Sequence, residues 1–190
     1  IVGTTNGSAN AIRNQGLGSV RSIINDGTIQ ATNAVIVNTA TIGAITNSSS
    51  GVIEDTAGTT AGFAIINGGS GTIDSITNAG VIVSERGYGI YNANSGSIAG
   101  ATIGTITNQS GGAITGGAAG ISNYTTNGQI ASSNIGAIVN QTGASITGGR
   151  YGIVNGEYDL YSVIGSITNE AGATNSGSDY SINNPRKITD

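Results

Sequence analysis

The chain of 190 residues contains no cysteine, histidine, methionine or tryptophan, and it has one proline. Without cysteine it has no disulfide and no thiol nucleophile, and without histidine it lacks the most common general base and most transition-metal ligands. Charged residues make up 8% of the chain, and its net charge is -4. Binding of nucleic acids requires clustered lysines and arginines that contact the phosphates, and this chain has too few of them. These absences predict a protein that is not an enzyme, has no cofactor and does not bind nucleic acid.

Long apolar runs are also missing, since no stretch approaches the ~20 apolar residues that span a bilayer. The first residues, 1–6, have neither the basic region nor the apolar region of an export signal. We therefore expect no membrane span and no signal in this segment. The chain is instead rich in glycine, with 33 residues, and in asparagine, threonine and serine placed beside isoleucine and valine.

Three short motifs recur in a fixed order. The first reads Ile-x-x-Ile-x-Asn or a close variant and covers residues 20–25, 42–47, 73–78, 103–108, 135–140 and 164–169. The second ends in Ile-x-Asn or a close variant and covers residues 10–14, 34–38, 64–67, 88–92, 119–123, 151–155 and 180–184. The third reads Gly-x-Ile or a close variant and covers residues 27–29, 51–53, 80–82, 112–114 and 143–146.

One cycle of the three motifs takes about 22 to 32 residues, which is the period of a solenoid. Each motif alternates apolar and polar residues over a few positions, as a strand does, and such short strands bury an apolar face only when they are stacked. The pattern predicts an all-β fold, a right-handed three-sided parallel β-helix of about six coils. Residues 1–190 then form a single β-helix segment. Because both ends stop within a coil, we expect it to be a window of a longer solenoid.

The asparagines that close the first two motifs are predicted to stack into two structural ladders of amide hydrogen bonds. We expect asparagine there because it also tolerates a left-handed bend. The first ladder comprises Asn25, Asn47, Asn78, Asn108, Asn140 and Asn169, and the second comprises Asn38, Asn67, Asn92, Asn123, Asn155 and Asn184.

All seven tyrosines lie between Tyr88 and Tyr180. Tyr124, Tyr158 and Tyr161 fall in insertions after the second motif, and loops of a solenoid project from one edge. Tyrosine offers a flat apolar face and a hydroxyl to sugars and proteins, so these three are the candidate binding residues. The alternative is that they pack over a loop or stack on the next coil.

A row of small residues lies on the exposed side of the first motif, with Thr46, Thr77, Thr107 and Thr168 at one position, which Ile24 and Val139 interrupt. Such a face suits packing against an identical face or against ice, although the strand preference of threonine explains it equally. Carboxylates such as Glu85, Glu157 and Asp159 fall at scattered positions of the repeat, which is typical of solvated loops rather than of a catalytic pair.

The segments Ile-Gly-Thr-Ile-Thr-Asn-Gln-Ser-Gly-Gly-Ala-Ile-Thr-Gly-Gly (103–117) and Ile-Gly-Ala-Ile-Val-Asn-Gln-Thr-Gly-Ala-Ser-Ile-Thr-Gly-Gly (135–149) resemble repeats of autotransporter passenger domains and related haemagglutinin-like adhesins of Gram-negative bacteria. The resemblance covers the repeat pattern of nearly the whole chain. It implies a β-helical stalk, secretion to the cell surface, and adhesion or self-association.

These observations together predict a segment of an extracellular surface adhesin or structural fibre. Its partners are expected to be further copies of itself, or glycans and proteins of host or bacterial surfaces. Two other hypotheses stay open, a β-helix polysaccharide lyase or hydrolase and an ice-binding protein.

Overall fold

The computed structural model describes residues 2–3, 10–56, 62–94, 99–125, 131–156 and 161–185. In these residues all regular structure is β-strand. They include no helix that is long and apolar enough to cross a membrane. The strands, in chain order, are β1 (Val2–Gly3), β2 (Asn10–Asn14), β3 (Ser19–Asn25), β4 (Thr28–Ala31), β5 (Ala34–Asn38), β6 (Thr41–Asn47), β7 (Val52–Asp55), β8 (Phe63–Gly68), β9 (Thr72–Asn78), β10 (Val81–Ser84), β11 (Tyr88–Asn94), β12 (Thr102–Asn108), β13 (Ala113–Gly116), β14 (Ala119–Thr125), β15 (Asn134–Asn140), β16 (Ser145–Gly148), β17 (Tyr151–Asn155), β18 (Val163–Asn169), β19 (Thr174–Ser176) and β20 (Tyr180–Asn183).

Each motif of the sequence builds one parallel sheet. Sheet 1 has the order β3-β6-β9-β12-β15-β18, sheet 2 has β2-β5-β8-β11-β14-β17-β20, and sheet 3 has β1-β4-β7-β10-β13-β16-β19. Successive strands of the chain pass from one sheet to the next, so the fold is the predicted three-sided parallel β-helix. Between β3 and β18 the chain makes about five complete turns. That is slightly fewer than the predicted six coils.

The core is a set of stacked isoleucine columns. In sheet 1 the strands pair in the register that aligns the second isoleucine of the motif, and the members of this column are Ile23, Ile45, Ile76, Ile106, Ile138 and Ile167. Ile45, Ile76, Ile106 and Ile138 are completely buried, while Ile167 is half-buried and packs against the same core. The side chains of this column therefore face the core. Burial of a full isoleucine side chain stabilises the fold by about 1.5–3 kcal/mol.

In cross-section the three sheets form the sides of a triangle, and each coil turns at its three corners. Corner 1 follows sheet 1, corner 2 follows sheet 2, and corner 3 follows sheet 3. In the turns after β12, β15 and β18, the residues with positive φ are Gly111, Gly143 and Gly172, at 81°, 77° and 80°. Glycine adopts this left-handed conformation without the steric cost that other residues meet. This turn geometry thus repeats in three successive coils.

Candidate functional surfaces

The two asparagine columns form continuous hydrogen-bonded ladders. At corner 1, Nδ2 of Asn78 donates to Oδ1 of Asn108 at 2.8 Å, and Nδ2 of Asn108 donates to Oδ1 of Asn140 at 2.9 Å. The same bond joins the other neighbours at both corners, including Asn155 to Asn184 at 3.2 Å. At corner 2 the ladder begins one coil earlier than predicted, because Asn14 donates to Asn38 at 2.8 Å.

Most ladder amides also bind the backbone of their own turn. Nδ2 of Asn108 donates to the carbonyl of Gly112 at 3.1 Å and to that of Ser145, in the next coil, at 2.9 Å. The side chain is completely buried. A buried amide whose bonds are all made is stabilising, whereas an unpaired one is costly. The ladders are therefore structural elements that tie successive coils together.

The conformational reason we gave for asparagine at these positions is wrong. Among the described residues, positive φ values occur only at glycines, so no ladder asparagine adopts the left-handed conformation. Asparagine is required because its amide both donates and accepts, which lets one side chain continue the ladder and bond the turn.

The outer surface of sheet 2 carries stacked aromatic rings. Phe63 and Tyr88 have ring centroids 5.7 Å apart with planes inclined by 10°, and Tyr88 and Tyr91 have centroids 4.9 Å apart. Tyr91 in turn stacks on Tyr124 at 6.4 Å. Because the rings stack on one another, their faces are largely occupied within the chain.

A second apolar cluster lies beside these rings, apart from the central core. It consists of Ala119, Tyr151 and Val154, all buried, with Tyr88 packed against it. Tyr151 stacks on Tyr180 at 6.2 Å, and the guanidinium of Arg150 lies 4.8 Å from the centre of the Tyr151 ring. This cluster covers the outside of sheet 2 and thickens the solenoid there.

The three tyrosines predicted from the sequence are not shown as one site. Tyr124 lies within β14 rather than in an insertion, because that strand continues to Thr125, and it is half-buried. Tyr161 is 43% exposed and precedes β18. Tyr158 lies outside the described residues. Their role in binding stays a prediction.

Sequence reasoning missed the aromatic column of sheet 2. Phe63, Tyr88, Tyr151 and Tyr180 occupy one register position, shared with Ala34 and Ala119. The signal was present, since three of these residues begin the second motif. Ala34 and Ala119 interrupt the column, so the aromatic position is not a regular repeat of the motif.

The outer face of sheet 1 has a different character. We call it the hydroxyl face and define it by two columns of outward side chains, Ser22, Ala44, Ser75, Thr105, Ala137 and Ser166, and Ile24, Thr46, Thr77, Thr107, Val139 and Thr168. The strands of sheet 1 carry two charged residues in all, Arg21 and Asp74. Threonine at these places offers a methyl group and a hydroxyl at the spacing of the strands, about 4.8 Å.

The described carboxylates are distributed over the three sides and the turns. Asp74 lies on sheet 1, Glu54 on the outer side of sheet 3, and Glu85 in the turn after β10. Asp55 is buried at corner 3, where it accepts a hydrogen bond from Oγ of Ser84 at 2.8 Å. Glu157 and Asp159 lie outside the described residues. In the described part of the chain, no three acidic side chains are grouped so as to hold a metal ion.

Comparison with known proteins identifies no relative. No protein-family model matches the chain, and neither a curated protein nor a solved structure shows significant similarity to it. The resemblance of the repeats to autotransporter passenger domains therefore stays a prediction.

Proposed function

We propose that this chain is a section of an extracellular surface adhesin or structural fibre, which acts through adhesion or self-association along its sides. The observation that carries the proposal is the hydroxyl face, a strip of uncharged and mostly small side chains that repeats in register over six strands. A repetitive surface makes many weak contacts with another repetitive surface, and their avidity far exceeds the affinity of one contact.

The scaffold suits this role. The isoleucine columns and asparagine ladders tie each described coil to the next, so the stability of each coil comes from its neighbours. Such a rod holds its side faces rigid over its whole length. We place it outside the cell or on a bacterial surface, because its repeats resemble those of proteins that are secreted to the cell surface.

The partners we propose are copies of the same chain, or glycans and proteins of cell surfaces. Hydroxyl and amide groups on a flat face hydrogen-bond to each of these without requiring opposite charge. Sparse charge also means that long-range repulsion does little to keep two rods apart. Contacts of this kind should depend little on ionic strength.

The proposal is tested by displaying the chain on cells that do not otherwise aggregate. We expect cell aggregation or adhesion to a glycan-coated surface, and we expect it to persist at high salt. Joint replacement of Tyr124, Tyr158 and Tyr161 by serine should weaken the effect, whereas joint replacement by phenylalanine, which keeps the rings, should weaken it less. Absence of adhesion and aggregation in the displayed wild-type chain would reject the proposal.

The threonine column of the hydroxyl face also favours a second candidate, an ice-binding surface. A measurement of thermal hysteresis on the purified chain separates the two. Hysteresis together with a lack of adhesion would favour the ice-binding function, whereas adhesion without hysteresis is the result we expect.

A further inference from the structure

We propose that a second copy of this chain packs face to face on the hydroxyl face, with the two rods antiparallel. The inference rests on the proposed function, because it names the partner and the surface through which self-association takes place. It depends on four properties of this face, namely its area, its few charges, the positions of its glycines and its free hydroxyl groups.

The hydroxyl face is large enough for a stable contact. Its strands are seven residues long, which corresponds to about 23 Å, and six of them at about 4.8 Å spacing extend over about 29 Å. Pairing two such faces would bury roughly 650 Å² on each rod. A total of roughly 1,300 Å² falls within the range of specific protein–protein interfaces.

The two charged residues of sheet 1 determine the orientation. Arg21 and Asp74 occupy the same position of the motif, where β6, β12, β15 and β18 carry glycine. In a parallel pair, a two-fold axis along the rods would bring Arg21 near its own copy and Asp74 near its own copy. Juxtaposed like charges are unfavourable in an interface. An antiparallel pair avoids both encounters.

The glycines of sheet 1 favour one particular antiparallel register. A two-fold axis that passes between β9 and β12 places Asp74 opposite Gly104 of the second copy, and it places Arg21 opposite Gly165. Each long charged side chain then meets the smallest residue of the facing rod, which leaves room for it to reach solvent. The same axis places Ala44 opposite Ala137, so small residues also meet one strand away from the centre of the contact.

The hydroxyl groups of the face are available to the partner. Among the described residues, the side-chain hydroxyls of Thr77 and Thr107 make no hydrogen bond within the chain, and both residues are half-buried. In the proposed register Thr77 lies opposite Thr107 of the second copy. Each hydroxyl can donate to the other, while the methyl groups bury apolar area.

The first test is sedimentation of the purified chain over a range of concentrations. We expect a reversible monomer–dimer equilibrium in the wild type. Thr107→Arg should raise the dimer dissociation constant at least about tenfold, because two guanidinium groups would be buried without partners. Val83→Arg, on the outer side of sheet 3, is the matched control and should leave it unchanged. Unchanged circular dichroism in both variants shows that the coils remain folded.

The second test measures orientation and uses the absence of cysteine in the chain. A mixture of the Ala44→Cys and Ala137→Cys variants should form a disulfide-linked heterodimer under mild oxidation, since these positions face each other in the antiparallel register. Ala44→Cys alone should not cross-link, because its two copies would be about three coil spacings apart, or about 14 Å. Efficient cross-linking of Ala44→Cys alone would overturn the antiparallel arrangement.

These experiments distinguish the pairing from the broader function. If the wild type stays monomeric at high concentration while cells that display it still adhere, the pairing is wrong and the adhesin proposal stands. If the chain neither dimerises nor promotes adhesion or aggregation, both fail. A dimer that Thr107→Arg leaves intact and Val83→Arg disrupts would overturn the choice of face.

Discussion

Corners 1 and 2 of the solenoid differ from corner 3 in how they hold successive coils together. Corners 1 and 2 contain a completely stacked asparagine ladder, whereas the equivalent column at corner 3 changes from coil to coil. Its members are Ala31, Asp55, Ser84, Gly116 and Gly148. The three corners belong to the same fold, so the difference must come from the turns.

Corner 3 is tight where it carries glycine. Two residues separate β13 from β14, and a Cβ atom on Gly116 would collide with the carbonyl of Ala119. Backbone hydrogen bonds nevertheless run from coil to coil through this turn, as from the amide of Gly149 to the carbonyl of Gly116 at 3.0 Å. The corner therefore has neither space nor need for a side-chain ladder.

Corner 1 holds a buried amide at the equivalent column position, even where two residues separate the strands, as between β9 and β10. The carbonyl of Gly112 accepts a hydrogen bond from the amide of Ser145 at 2.9 Å and a second from the Asn108 side chain. Asparagine thus fills the interior of this corner and donates to its backbone carbonyls. The number of residues in the turn does not select the ladder residue, since two residues separate both β9 from β10 and β13 from β14. What differs is the room that the backbone leaves at the column position, where the carbonyl of Ala119 occupies the place of a side chain on Gly116.

The largest effect should come from replacing a ladder amide by a carboxylate. In Asn108→Asp an oxygen would face the carbonyls of Gly112 and Ser145 and the Oδ1 atom of Asn140, which all accept. We expect the free energy of unfolding to fall by about 3 kcal/mol or more, since the donations of the amide are lost and a buried negative charge faces three acceptors. Thermal or urea unfolding measures this change.

The neighbouring Gln109→Asp, at an exposed position of the same turn, is the control and should change stability by less than about 0.5 kcal/mol. The loss in Asn108→Asp should also shrink as the pH falls, because burial raises the pKa of the new carboxyl and its neutral form can donate. Equal stability of the two variants would show that corner 1 tolerates charge and that the ladder is dispensable.

A smaller loss of stability is expected from alanine substitutions, which compare corner 1 with corner 3 in one coil. Asn78→Ala removes donors to Asn108, to the carbonyl of Gly80 and to that of Ala113, and we expect it to cost about 2–3 kcal/mol. Ser84→Ala removes the bond to Asp55 and the acceptor of the Gly87 amide. The Ser84 hydroxyl bonds to the coil before it, and the next coil carries Gly116 at the same position and has no side chain to bond. We therefore expect a cost of about 1 kcal/mol.

Chemical denaturation of the two alanine variants against the wild type gives both values. A greater loss in Ser84→Ala than in Asn78→Ala would reverse the comparison and make corner 3 the stronger tie. Both substitutions remove buried polar groups from the same coil, so differences in coil position do not affect the result.

The parts of the fold that repeat were predictable from the sequence, because each residue of a column has the same environment in every coil. The isoleucine column of sheet 1 and the two asparagine columns follow from spacing alone. Stacking in register then converts a position in the motif into a contact between coils. The ladder register was correct even though the conformational reason for asparagine was wrong.

The parts that do not repeat were not predictable. The turn lengths vary, so the sequence does not show that Asp55 meets Ser84 at corner 3 or that Tyr124 lies in a strand against Tyr91. At the last described coil, Asn175 takes the register position that Ile146 holds in the coil before. Asn140 donates to its Oδ1 atom, but its own Nδ2 atom is buried without a hydrogen-bond partner in the described part of the chain. No periodic pattern signals such an exception.

The smallest effect concerns the exposed side of corner 3, where Arg150 and Asp179 link two successive coils. Nε of Arg150 donates to Oδ2 of Asp179 at 3.1 Å, and both side chains are substantially exposed, at 56% and 40%. Hydrogen bonds from the Ser178 hydroxyl and from Arg150 hold the pKa of the Asp179 carboxyl below its ordinary value. Because the folded state favours the ionised form, this carboxyl adds stability above its unfolded pKa, and the contribution is lost as the pH falls through its folded pKa.

We expect Asp179→Asn to be slightly less stable than the wild type at neutral pH and equally stable in acid, as measured by unfolding across that pH range. High salt should narrow the difference at neutral pH, since exposed ion pairs are screened. A difference that persisted in acid would mean that Asp179 contributes through packing rather than through its charge.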